Sequence, residues 1–215
     1  MQRHHAPAGM TTKEFYFNQV VGLSNSDMTK VDDWLQGRMD KPVPEKAFRF
    51  GSMVDAILTQ MDELDETLTD EEISRALKLS DTAKANPLCS TLLTHGEPQV
   101  ILSREVEIEY EGILKTVLAK CMLDICLLRM KIGCDIKTTV ARTHAQFLAS
   151  VERFNYDRQA FWYMEVGNLD RFVFVGLSKT KHGAVFIHII KRGDPMWLSG
   201  KEKAMALAYY SDLKP

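Results

Sequence analysis

Residues 118–139 read LAKCMLDICLLRMKIGCDIKTT, and the way this stretch folds decides what surrounds it. Two apolar runs flank a polar break around Arg129 to Gly133, which predicts two β-strands joined by a tight turn. Side chains two apart on a strand share a face. Asp135 and Lys137 therefore project together, while Cys134 and Ile136 face the other way. If the strands pair across the turn, Asp124 reaches the same patch. Two carboxylates and an ammonium then meet on a sheet that otherwise reads as buried, where desolvation costs several kcal/mol per ion. A divalent cation between the acids is one remedy. An exposed Asp135–Lys137 pair at a strand end is the plainer alternative, because a D-x-K tripeptide is common.

Composition limits the classes. With 215 residues, 45% hydrophobic and 26% charged, the chain reads as one soluble globular domain. No apolar run approaches a membrane span, and MQRHHAPAGM lacks the apolar core of a secretory signal. A cytoplasmic protein without membrane contact is the expectation. The cysteines Cys89, Cys121, Cys126 and Cys134 show no C-x-x-C spacing and are expected to be buried and reduced. Net charge is −2, but residues 1–110 carry −8 and residues 111–215 carry +6. The half that holds the Asp124, Asp135, Lys137 set is the basic half, which suits a polyanion and equally suits solvated helix faces.

Working outward, residues 1–22 are polar and read as an irregular, partly disordered segment, with a single domain over 23–215. A helix is expected from Ser24, Ser26 or Asp27 until Gly37 and the Pro42/Pro44 pair. A second runs from Ala47 to about Met61. In it Gly51 implies close approach of another backbone, and Asp55 stands among apolar residues or on a polar face with Gln60 and Asp62. Residues 62–96 read as acidic, then helical after Thr69, then loop-like, forming a solvated cap. Val100–Leu102 and Val106–Tyr110 are strand-like, with a hairpin turn at Glu111–Gly112. Helices follow over Thr143–Phe154 and Tyr156 to about Asn168, the second placing Gln159 and Tyr163 one turn apart. Two more strands are joined by a basic turn with Lys179, Lys181 and His182. Gly193-Asp194-Pro195 is expected to break the chain before a final helix capped by Ser199. The order indicates an α/β domain, a mixed sheet flanked by helices with an N-terminal helical cap.

Four elements together resemble a PD-(D/E)XK nuclease of the RecE-type exonuclease group (exodeoxyribonuclease VIII), and more distantly lambda exonuclease. They are Leu23-Ser24-Asn25-Ser26, Phe50-Gly51-Ser52-Met53-Val54-Asp55, the set Asp124 with Asp135-Ile136-Lys137-Thr138-Thr139, and Tyr156-Asp157-Arg158-Gln159 through Tyr163. The resemblance covers roughly residues 22–190 and implies a restriction-endonuclease-like core. One departure is plain: Asp55 stands where the family usually has a metal-binding His.

The resemblance implies a Mg²⁺-dependent exonuclease (Mn²⁺ an alternative ion) acting on linear DNA in phage-type recombination or repair. Asp124, Asp135 and Lys137 would be catalytic. Asp55, Asp124, Asp135 and the Ile136 carbonyl would hold metal, and Asp is a fitting oxygen ligand for a hard cation. Lys137 would orient or deprotonate the attacking water. Gln159 and Tyr163 would contact the substrate or brace the site. Lys179, Lys181, His182, Lys191 and Arg192 could track phosphates or simply be solvated. A single-strand annealing protein as partner and a homo-oligomeric ring are implied in the same way. No iron–sulfur cluster is expected, since no cysteine follows Cys134. The alternative is a nuclease-fold protein that binds DNA or a partner and no longer cuts, for which Asp55 is the best support.

Overall fold

The strand that alternates from Val106 to Tyr110 extends further than its pattern indicates. In the computed structural model, which describes residues 1–38, 45–59, 68–180 and 183–213, β2 runs unbroken over Glu97–Tyr110. Glu111 and Gly112 form the turn, both with positive φ (50° and 77°), as a tight hairpin with the right-handed strand twist requires. The chain returns as one long strand, β3, over Ile113–Leu127. A short 3-10 turn at Leu128–Met130 and a left-handed Lys131 lead into β4, Ile132–Thr139.

Six strands form one mixed sheet in sequence order, from β1 (Gln2–His4) to β5 (Arg171–Ser178) and β6 (Val185–Lys191). All neighbours are antiparallel except β4 and β5. That parallel pair needs a crossover, which α6 (His144–Arg153) and α7 (Tyr156–Gly167) supply. One face of the sheet packs α7, α8 (Pro195–Tyr210) and α2 (Asn25–Leu35) around Trp162, Phe161, Phe172 and Phe174. The other packs α3 (Glu45–Thr59), α4 (Asp70–Ala85) and α5 (Pro87–His95) around Met53, Val54, Leu79 and Val175. All four cysteines are buried and free.

Several expectations need correction. Residues 1–22 are not irregular: β1 adds to β2, and α1 (Thr12–Asn18) opens with a capping box between Thr11 and Glu14. Lys120 of β3 anchors this segment by donating to the Tyr16 and Val20 carbonyls at 3.0 and 2.7 Å, with its ammonium 4.7 Å from the Tyr16 ring centre. The chain then crosses β3 through Leu23, whose amide and carbonyl bond Leu118 and Lys120. Residues 87–95 are helical rather than loop-like, because Pro87 suits a first helical turn and the Asn86 side chain caps it. A first-turn proline likewise lets Asp194-Pro195 start α8 instead of breaking the chain, without a side-chain cap. Ser199 lies inside that helix and donates to Asp157 at 2.8 Å. Among the described residues no backbone of another element approaches Gly51; a Cβ there would lie 3.6 Å from Thr138 Oγ1, an ordinary contact. Ser24 is the N-cap of α2, with Asp27 completing a capping box. The expected helix end at Pro42/Pro44, the residues Gln60, Met61 and Asp62, and the turn residues Lys181 and His182 lie outside the described residues.

Candidate active site

β3 and β4 pair over only three positions, Ile125–Leu127 against Cys134–Ile132. Beyond them the strands part, and Asp124 and Asp135 are the first residues past the last pair. β5 holds the other edge of β4, pairing with it along its whole length. The gap is bridged by a side chain: Asp124 Oδ2 accepts from the Ile136 amide at 2.7 Å, where a strand carbonyl would otherwise accept. On its other side, the β2–β3 register passes over Gln99 and Asp124, and Gln99 is left-handed (φ 45°).

Asp135 is 4% exposed, and each of its oxygens has a different partner. Oδ1 accepts from Gln159 Nε2 of α7. Oδ2, also buried, lies 2.7 Å from Lys137 Nζ. This is the pairing that strand alternation implies: Asp135 and Lys137 face α7, while Cys134 and Ile136 pack on the α3–α5 side. Lys137 is 23% exposed, and its ammonium sits 4.8 Å from the Tyr156 ring centre. Tyr156 in turn stacks on Phe174.

The electrostatics follow from this crowding. Burial above all, then the charges of Asp135 and Asp55, hold the Asp124 carboxyl well above the ordinary carboxylate range; Lys137 and the Ile136 amide only partly offset them. Burial presses Lys137 toward its neutral form, but Asp135, Tyr156 and Asp124 outweigh it and keep its pKa above that of a free lysine. Asp55 comes from α3 on the other side of the parted strands, is itself buried, and pairs with Lys13 of α1 at 3.4 Å.

The fold thus brings Asp124, Asp135, Lys137 and Gln159 into one connected set, with Asp55 close enough to act on Asp124. Tyr163 lies a turn beyond Gln159 in the core, edge-on to Phe172, and touches none of the three carboxylates through a hydrogen bond. Among the described residues no three His, Cys, Asp or Glu side chains stand close enough to close around a single ion. The donor chemistry nonetheless fits a hard cation. All candidate ligands are oxygens, and Asp124 is crowded by like charges that a divalent cation would neutralise. Of the suspected phosphate contacts, Arg192 is engaged otherwise: it pairs with Glu165 and donates to the Leu169 and Met164 carbonyls at the end of α7. Two residues escaped the sequence reading of the site. Tyr156 was visible as the first residue of its helix motif, three before Gln159. Lys13 was hidden in a segment read as irregular, although T-T-K-E is a capping-box signature.

The fold is that of a nuclease-like α/β domain. Residues 28–187 match a PDDEXK-like domain of unknown function (DUF3799), and the chain belongs to that family. No curated protein matches it. Among solved structures it is similar to a "putative exonuclease" from Eubacterium rectale, at 16% identity, over 97% of this chain and 89% of that one, with a TM-score of 0.62. It is also similar to the alkaline exonuclease of Laribacter hongkongensis (16% identity, 94% and 93% covered, TM-score 0.43). A phage-related exonuclease from Haemophilus somnus is a further match (15% identity, 92% and 97% covered, TM-score 0.38). At 16% identity and a TM-score of 0.62, the likeness to the first of these speaks for the fold alone. No helix among the described residues is long and apolar enough to cross a membrane.

Proposed function

We propose that the protein is a metal-dependent exonuclease that hydrolyses phosphodiester bonds of linear DNA. The observation that carries this reading is the parted β3–β4 edge, where half-buried Asp124 and buried Asp135 stand beside an ammonium held in its charged form. Asp124 and Asp135 would hold the cation, Mg²⁺ by ligand type, with Asp55 and the Ile136 carbonyl as further ligands. A divalent cation there would polarise a phosphoryl oxygen and acidify a water.

The protein's own groups supply the rest. Gln159 fixes one oxygen of Asp135, leaving the other aimed at Lys137. Lys137 keeps its proton, so it serves better as a fixed positive charge for the phosphoryl oxygens and as a donor orienting water than as a base. Ile136 holds Asp124 in place through its amide. Attack of water on phosphorus forms one P–O bond and breaks another, and the departing oxygen takes up a proton. Phage-type recombination, a cytoplasmic setting, an annealing-protein partner and a ring assembly belong to the same reading.

The second reading, a nuclease fold that binds DNA or a partner without cutting it, is favoured by Asp55 in the usual His position and by its pairing with Lys13. Incubating purified protein with linear and closed-circular duplex DNA in Mg²⁺ separates the two. An exonuclease digests only the linear form, and Lys137→Ala stops it. Retained DNA binding without digestion in Mg²⁺ or Mn²⁺ establishes the second reading.

A further inference from the structure

Where β4 runs out beyond Lys137, the surface opens into a cleft of about 560 Å³ between residues 138–142, α6 and the start of α7. Among the described residues that line it, Lys137, Arg142, Arg153 and Lys179 are cations and none carries a carboxylate. Solvated surfaces ordinarily intersperse both signs. Here Arg142 and Arg153 are exposed, and neither forms an ion pair with another described residue. Lys179 is tied to the end of β4 by its amide, which donates to the Thr139 carbonyl at 2.7 Å. It shares the Phe50 ring with Arg75, the two cations lying 5.8 and 5.6 Å from the ring centre. Burial and then the Arg75 guanidinium pull the Lys179 ammonium below the ordinary lysine value. Of these four cations only Lys137 has a carboxylate partner among the described residues, Asp135.

The cleft also holds an aromatic. Phe154 is 56% exposed, lies under the Arg153 guanidinium at 5.5 Å, and tilts against Tyr156 at 5.8 Å. Tyr156 is the ring that underlies Lys137. Unpaired arginines next to an exposed ring, leading to a phosphodiester site, are what an extended nucleic-acid strand needs: charge for phosphates and a face for a base. The volume falls within the ~300–1,000 Å³ of small-ligand clefts, room for a short stretch of single strand.

We propose that this cleft is a strand-holding subsite, in which Arg142, Arg153 and Lys179 bind phosphates adjacent to the scissile bond and Phe154 stacks one unpaired base. The proposal rests on the nuclease reading for which bond lies next to it, but its test does not require cutting. The probe is a short fluorescent oligothymidine, titrated by anisotropy in EDTA over a series of salt concentrations. Wild type should bind with a steep salt dependence. Arg142→Ala with Arg153→Ala should flatten the log–log slope by about 1.4, two phosphate contacts on a single strand. Arg142→Lys with Arg153→Lys should restore it. Phe154→Ala should weaken binding by roughly fivefold or more at every salt concentration and leave the slope unchanged. These side chains are exposed, so the variants should keep the wild-type thermal unfolding profile, which is the control for folding. If wild type fails to bind the probe, or if the double alanine variant matches it in affinity and slope, the subsite is refuted. If the slopes behave as stated while no cation supports cleavage, the nuclease reading fails and the subsite stands.

Discussion

Replacing Gln159 by Leu keeps the side chain's volume and removes the amide that holds Asp135. Gln159 is 5% exposed and Asp135 4%, so water cannot readily take the lost donor's place. A hydrogen bond to a charged group contributes about 1.5–3 kcal/mol net, and here its loss leaves one oxygen of a buried carboxylate without its donor. Taking about 2 kcal/mol, and about 2–4 °C per kcal/mol for a chain of this size, Tm should fall by roughly 4–8 °C. Urea unfolding of metal-free protein, followed by circular dichroism, gives the free energy directly. Under the proposed function DNA digestion should fall as well, because Asp135 loses its orientation. A loss below about 0.5 kcal/mol, the range of neutral surface changes, would mean that Gln159 does not hold Asp135 and that α7 plays no part in positioning the acids.

Other outcomes follow from the same geometry. Gly51→Ala should be neutral or stabilise by up to about 1 kcal/mol, since the helix gains and the new Cβ meets Thr138 at an ordinary distance; a marked loss by thermal unfolding would contradict the packing of α3 on β4. Lys120→Met should free α1 and expose the segment before Gly22 to protease while the rest of the sheet survives, read by limited proteolysis and mass spectrometry. The pH dependence has a definite sign. The folded chain holds the Asp124 proton more tightly than the unfolded one, so metal-free stability should fall as pH rises from the ordinary carboxylate range, ~4, through the raised folded value. Asp124→Asn should flatten this dependence in urea titrations at pH 5 and pH 8; an unchanged dependence would show that Asp124 is already ionised throughout.

Much of this arrangement was legible in the chain because strand alternation is a rigid rule. It put Asp135 with Lys137 and apart from Cys134 and Ile136, and the Glu111–Gly112 turn was visible from its residue types. Helical spacing put Gln159 and Tyr163 one turn apart, but only Gln159 reaches Asp135. What escaped was set by contacts distant in sequence. Residues 1–22 look too polar to order themselves, and they do so because Lys120, a hundred residues on, binds the last turn of α1. The parting of β3 from β4 is equally invisible in either strand alone, since it comes from β5 holding β4 while Asp124 replaces a strand carbonyl. The end of the 62–96 stretch reads as loop and Gly193-Asp194-Pro195 as a break, although a proline in the first turn starts a helix as readily as it ends one. Arg192 looked like a phosphate contact and instead closes the end of α7.

The central claim is that Asp124 and Asp135 share a divalent cation at the parted strands. It is tested most directly by titrating Mn²⁺ into purified, EDTA-stripped protein and counting free ion by electron paramagnetic resonance, with Asp124→Asn and Asp135→Asn alongside. The account predicts saturable binding to the wild type that each substitution weakens by an order of magnitude or more, about 1.4 kcal/mol. Equal binding by all three proteins, or none by the wild type, would contradict it.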